Sequence, residues 1–168
     1  MDTRFTVRPL TATDLPGLLA VQHACYGEGY LEPAEVFARR IACPVQCSQV
    51  AVAQGVVVAY LAAYRSRRGK VTPLHGDFEA TTHPDTLYLH DMAVHPEWAG
   101  RGLARALLAP VWKLAQHEGL AHSSLVSVQG SEAYWARQGF AVVALTDVQQ
   151  QQRLAGYGPE AVYMERPL

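Results

Sequence analysis

A strand-like run, LYLHDMAV at residues 87–94, passes through the short turn HPEWAGRG into the helical pattern LARALLAPVWKLAQHEG, and a second strand-like run, SSLVSV, follows at 123–128. Leu103, Leu107, Val111 and Leu114 keep one apolar face at helical spacing as far as Gly119, a suitable stop. Pro110 lies inside that pattern and removes one backbone hydrogen bond, so a kink is expected there. Strand, helix, strand in this order is the signature of a parallel crossover, which requires a sheet with a helix packed across it. An α/β chain is expected.

The remaining segments extend such a sheet. Residues 5–9 read as a strand, and Asp14 precedes Leu15, Leu18, Leu19 and Val21 as a helix N-cap. A second helix is expected from Pro33 through Val36, Phe37 and Ile41 to a stop at Pro44. Residues 47–53 and 56–65 read as two strands joined in a hairpin at Gln54-Gly55. Later, SEAYWARQ reads as a short helix ending at Gly139, and FAVVAL and EAVYMER as strands. Between the hairpin and LYLHDMAV, SRRGKVTPLHGDFEATTHPD at residues 66–85 lacks a sustained apolar period. Loops of this length are usually functional lids or mobile excursions, and both readings stay open.

With 168 residues, 49% of them hydrophobic and 17% charged, the chain is expected to fold as one domain over residues 1–168. A formal charge of -1 gives no overall reason to bind a polyanion, so a nucleic acid partner is not expected. GVVVAYLAAY at residues 55–64 is far shorter than the roughly 20 residues of a spanning helix. The N-terminal stretch MDTRFTVRPL lacks the features of a signal peptide. A cytoplasmic protein without a membrane partner is expected, and a homo-oligomer is compatible with the sequence. Cys25, Cys43 and Cys47 form an odd set without CxxC spacing, so neither a disulfide framework nor a metal is expected.

The turn GRGLAR combines three features that suit an anion. The first amides of a helix lack internal partners, the macrodipole favours negative charge there by about 0.3–2 kcal/mol, and small residues let a ligand come close. Arg101 and Arg105 stand at the same end, where positive charge opposes the dipole unless an external anion is present. A phosphate site and a plain turn both fit these residues. The spacing is neither that of a P-loop nor that of a dinucleotide fingerprint.

The stretch LYLHDMAVHPEWAGRGLARALL resembles the acyl-CoA-binding motif of the GNAT superfamily of N-acetyltransferases, a strand ending in V-x-P followed by R/Q-x-x-G-x-G/A. Val94 and Pro96 match, Gly102 takes the glycine place, Ala104 the final Gly/Ala place, and Ala99 departs from the usual Gln or Arg. EAYWARQGF is similar to the family's A-x-x-F-Y-x-x-x-G-F segment, and the elements fall in family order over nearly the whole chain. The resemblance implies a GNAT fold with a mixed central sheet of about six or seven strands and about four helices. It implies acetyl-CoA as acyl donor, with the backbone of Gly100, Arg101, Gly102, Leu103, Ala104 and Arg105 on the pyrophosphate and that of Met92, Ala93 and Val94 along the pantetheine arm. It also implies that the amide of Val94 or a neighbour polarises the thioester carbonyl. The expected activity is direct transfer of an acetyl group to a primary amine of a small molecule or peptide in a ternary complex. A non-catalytic acyl-CoA-binding regulatory domain and transfer of another acyl group, such as succinyl or propionyl, are the rivals.

Transfer to an amine needs a group that removes the ammonium proton and a proton for the departing sulfur. Asp91 and His90 are the nearest ionisable residues on the cofactor strand, and strict alternation sends them to opposite faces unless a bulge intervenes, with Asp91 beside Leu87 and Leu89. Each is a candidate base, Asp91 also a candidate anchor for the amine, and ordinary structural roles for both, with a water relay taking the proton, stay open beside these. Trp135 stands where many family members have tyrosine and cannot act as an acid. Tyr134, offset by about 100° around the helix, is the candidate acid or a packing aromatic.

Overall fold

The computed structural model describes residues 4–168. Residues 1–3, part of the expected domain and of the stretch read for a signal peptide, lie outside the described residues. The strands are β1 (Thr6–Pro9), β2 (Gln49–Ala53), β3 (Val56–Ser66), β4 (Thr86–Val94), β5 (His122–Ser127), β6 (Ala141–Val142) and β7 (Val162–Pro167). They form one seven-stranded sheet in the order β1-β2-β3-β4-β5-β7-β6. Only β4 and β5 pair in parallel, as the crossover pattern requires. The β2–β3 hairpin turns at Gln54 and Gly55, whose φ values of 51° and 75° suit a two-residue turn.

Five α-helices flank the sheet: α1 (Leu15–Cys25), α2 (Ala34–Ala42), α3 (Leu103–His117), α4 (Glu132–Arg137) and α5 (Val148–Ala155). On one face, Leu103, Leu107 and Val111 of α3 pack with Leu61, Leu87, Leu89 and Leu125. On the other, Leu18 and Val21 of α1 and Phe37 of α2 pack with Tyr60, Tyr64 and Tyr88. Helix α3 continues through Pro110. A proline there costs about 3 kcal/mol, and the fully buried Leu107 and Val111 on either side offset it at roughly 1.5–3 kcal/mol each.

Asp14 stands at the start of α1, but its carboxylate turns back to Arg8, at 2.7 and 2.8 Å, and to the Thr11 amide at 2.8 Å. Helix α5 has few apolar residues and no counterpart in the sequence reading. Asp147 caps it by accepting from the Gln150 amide, and the buried Gln150 side chain accepts from the Val71 amide at 2.7 Å. Strand β6 has only two residues where FAVVAL reads as a longer strand.

Residues 67–85 contain neither helix nor strand, yet the middle of this segment is fixed. Val71, Thr72 and Phe78 are buried. Tyr157 donates to the Thr72 carbonyl at 2.6 Å, the His75 amide donates to Glu32 at 2.8 Å, and Arg40 donates to the Gly76 carbonyl at 2.7 and 2.9 Å. Buried polar partners thus replace the missing periodicity.

Candidate active site

After β4 the chain makes one short 3-10 turn, Pro96–Trp98, and reaches α3 through Gly100 and Gly102, with φ values of 76° and 81°. Both conformations lie in the left-handed region that glycine adopts without penalty. A Cβ built on either glycine meets nothing within 4 Å, so the turn faces open space. Gly102 is the N-cap of α3, and the Ala106 amide is bonded to its carbonyl at 3.1 Å. The amides of Leu103, Ala104 and Arg105 precede that bond, at the end of the helix where donors lack internal partners. The Arg101 guanidinium lies 4.4 Å from the centre of the Trp98 ring, and Arg105 is exposed. These features fit a phosphate ester.

The β4–β5 pairing stops at Leu89 opposite Leu125, while β4 runs on to Val94. Against β3, Ala62 pairs with Asp91 and Ala63 with Leu89, so His90 is an extra residue in the ladder. Such a bulge reverses the facing of the residues beyond it. Leu87 and Leu89 belong to the α3 face, whereas His90 packs on Tyr88 and Phe78 and Asp91 meets Tyr26 and Tyr60 on the α1 face. The expectation that Asp91 shares a face with Leu87 and Leu89 is therefore corrected, and both candidate bases point the same way.

A cavity of about 250 Å³ opens where β4 and β5 part, lined on one side by Tyr26, Glu32, His90 and Asp91 and on the other by Leu125, Tyr134 and Trp135. The His90 side chain is 3% exposed, with Nε2 2.8 Å from Glu32 Oε1 and Nδ1 without a hydrogen-bond partner. Glu32 also accepts two bonds from Arg40, at 2.8 and 2.6 Å. Burial opposes its charge, but His90 and Arg40 together outweigh that and hold its carboxyl well below the usual range.

Asp91 accepts from Tyr26 at 2.7 Å on one oxygen and from Tyr60 on the other. Burial pushes its carboxyl above the ordinary value against the pull of His90 and these hydroxyls. Burial and the Asp91 charge push the Tyr26 and Tyr60 hydroxyls up in turn, so both remain donors. Cys25 donates to the Val94 carbonyl at 3.1 Å, and burial followed by the Asp91 charge raises its thiol, which keeps it neutral. Trp135 is 8% exposed and packs edge-on against Phe140. Tyr134 is half-buried with its ring centre 5.0 Å from that of Trp135, and burial pushes its hydroxyl up.

The sequence reading missed Glu32, Arg40, Tyr26 and Tyr60. They reach the site from α2, the loop between α1 and α2, and β3, far from the motif, and no spacing in the sequence marks a charged residue as buried. Among the described residues, no group of three or more His, Cys, Asp or Glu is arranged to hold a metal. No helix among them is long and apolar enough to cross a membrane.

The sequence profile of the Acetyltransferase (GNAT) family matches residues 16–140. No curated protein sequence matches the chain. The ribosomal-protein-S18-alanine N-acetyltransferase from Escherichia coli is similar in structure, with a TM-score of 0.71 at 18% identity over 98% of this chain and 94% of that one. So is the PaiA N-acetyltransferase from Thermoplasma acidophilum in complex with coenzyme A, at 0.68 and 16% over 98% and 99%. The GphF GNAT-like decarboxylase in complex with isobutyryl-CoA gives 0.74 and 15% over 96% and 98%.

Proposed function

The chain belongs to the acetyltransferase (GNAT) family, and from that premise we propose that it moves an acetyl group from acetyl-CoA directly to a primary amine of a small molecule or peptide in a ternary complex. One juxtaposition carries the reading: the β4–β5 pairing ends at Leu89 opposite Leu125 beside the cavity lined by His90 and Asp91, and the same strand β4 runs on to Val94, shortly before the glycine turn at 100–102. Coenzyme A in the PaiA complex and isobutyryl-CoA in the GphF complex support a CoA thioester as the donor. We place the protein in the cytoplasm, acting as one domain over residues 1–168, without metal, nucleic acid or membrane partner.

Acetyl-CoA supplies an acyl thioester whose carbon–sulfur bond breaks as the amine nitrogen forms the amide. The backbone of residues 100–105, with Arg101 and Arg105 nearby, holds the pyrophosphate. Met92, Ala93 and Val94, on β4 beyond its pairing with β5, take the pantetheine arm, and an amide there donates to the thioester carbonyl. Glu32 fixes the Nε2 proton of His90, which leaves Nδ1 to accept the proton that the ammonium must lose. Asp91, with both oxygens already accepting from tyrosines, anchors the ammonium by charge. Tyr134 keeps its proton and is the side-chain donor for the departing sulfur, with water as the other source. The neutral, hydrogen-bonded Cys25 is a poor nucleophile, which favours direct transfer over an acyl-enzyme.

Two titratable side chains, His90 and Asp91, in the wall of one cavity favour catalysis over a regulatory binding domain, because both can exchange a proton with an acceptor held there. Initial rates of CoA thiol release with acetyl-CoA and amine both varied test the reading. Intersecting double-reciprocal lines are expected, and parallel lines contradict direct transfer. Bound acetyl-CoA with no release for any amine sends the assignment to the regulatory rival, and faster release with succinyl-CoA or propionyl-CoA changes the donor.

A further inference from the structure

We propose that the acceptor is a compact free monoamine with an aromatic or apolar body and no carboxylate, held whole inside the cavity, and not the end of a peptide. This rests on the acyl-transfer reading and narrows it at the same site.

The first observation is closure. Tyr30, in the loop between α1 and α2, donates to the Tyr157 carbonyl at 3.1 Å and so ties that loop to the segment after α5. Tyr157 is tied through its hydroxyl to the Thr72 carbonyl at 2.6 Å, and the His75 amide to Glu32 at 2.8 Å. Three chain segments, each remote from the others in sequence, are thus tied together where Tyr30, Glu32, Leu74 and Tyr157 line the cavity. An extended peptide leaving the site between Tyr30 and Tyr157 has to break the bond that joins them.

The second observation is charge. Among the described residues, no lysine or arginine lines the cavity, while Glu32 and Asp91 do. Arg40 matches the charge of Glu32 from behind with two hydrogen bonds. Asp91 accepts hydrogen bonds from neutral hydroxyls and has no lysine or arginine paired with it; His90 is the neighbouring titratable group, and an incoming ammonium matches the carboxylate directly. A carboxylate on the acceptor meets no lysine or arginine in this wall and lies beside Asp91, which has no such counter-ion, with His90 the one titratable nitrogen near it, an arrangement that a low-dielectric site penalises. The rings of Tyr26, Tyr30 and Tyr157 and the Leu74 side chain complete this wall. Such surfaces suit an apolar body, and ring faces attract a cation.

Phenethylamine and phenylalanine differ only by the carboxylate, and a short peptide with N-terminal phenylalanine adds chain length. Binding of each to the CoA-loaded full chain is measured by calorimetry, and turnover with acetyl-CoA by thiol release. Phenethylamine is expected to bind and to react at least about a hundredfold more efficiently than phenylalanine, with no turnover of the peptide. Equal or better binding of phenylalanine or peptide overturns the inference, as does failure of phenethylamine to bind. Thiol release with amino acids or peptides alone overturns it while leaving acyl transfer intact. Phenethylamine binding without release from any amine contradicts acyl transfer while leaving the ligand class intact. Leu74→Arg, which adds a cation at a half-buried wall position, is expected to shift the ratio at least about tenfold towards phenylalanine; an unchanged ratio in the folded variant overturns the charge argument.

Discussion

His90, in the wall of the cavity, places Nε2 2.8 Å from Glu32 Oε1, and its other ring nitrogen, Nδ1, is buried without a hydrogen-bond partner. If that nitrogen takes the ammonium proton, His90→Gln lowers kcat by about 10² to 10⁴, the range for a lost general base. The affinity for acetyl-CoA, measured by calorimetry, stays within about twofold, because His90 lies away from the glycine turn. A kcat within a factor of three of the parent shows that another group or water does this work.

Glu32→Gln tests the same pair through stability. The variant leaves the Arg40 charge, 2% exposed, without its counter-ion, and breaking a buried pair in this way costs about 3–5 kcal/mol. The folded Glu32 carboxyl titrates below its unfolded value. Its stabilisation is therefore complete above an unfolded pKa of about 4.3 and is lost as pH falls through the folded value. Urea unfolding is expected to show a large gap between parent and variant at neutral pH that narrows in acid. A constant gap contradicts this.

Asp91 has the opposite sign. Its folded carboxyl titrates above the unfolded value, so its contribution is fully present below the unfolded pKa, about 3.9, and is lost as pH rises through the folded one. Asp91→Asn is expected to be most favourable to stability, relative to the parent, at high pH. With its anchoring charge gone, acceptor KM rises at least about tenfold while kcat changes less than about tenfold, less than the loss of a general base produces. A loss confined to kcat assigns Asp91 the base role instead.

Coenzyme A is expected to raise the melting temperature, since a ligand that binds only the folded state stabilises it. Gly102→Asp puts a side chain and a negative charge where the pyrophosphate belongs and removes that rise. Ala99→Gln, at an exposed position beside the turn, leaves it the same or slightly larger. An unchanged rise in folded Gly102→Asp sinks the phosphate assignment.

Tyr134→Phe is expected to lower kcat less than about tenfold, below the usual contribution of general acid assistance, because water also reaches the departing sulfur. Trp135→Ala weakens acetyl-CoA binding through lost contact area. A hundredfold drop for Tyr134→Phe with cofactor binding intact makes its hydroxyl the obligatory acid.

The sheet, the crossover and the glycine turn were legible because each is local: alternation in LYLHDMAV, helical spacing from Leu103 to Leu114, and two glycines at a strand-to-helix junction. The β2–β3 hairpin was readable for the same reason. Helix α5 was not, since its stability comes from Asp147 capping and from Gln150 reaching across to Val71. The bulge at His90 depends on the pairing of β4 with β3 and leaves no mark on the spacing of β4 itself. Glu32 and Arg40 look like ordinary solvated charges in sequence, and only the packing of α2 against residues 75–78 buries them.

Release of free CoA thiol from acetyl-CoA, followed with and without phenethylamine for the parent chain and for His90→Gln, tests acyl transfer at this cavity most directly. Release is expected to depend on the amine, to match the N-acetyl product mole for mole, and to fall by about 10² to 10⁴ in the variant. Amine-independent release contradicts acyl transfer, and equal rates for the two proteins contradict His90 as its base.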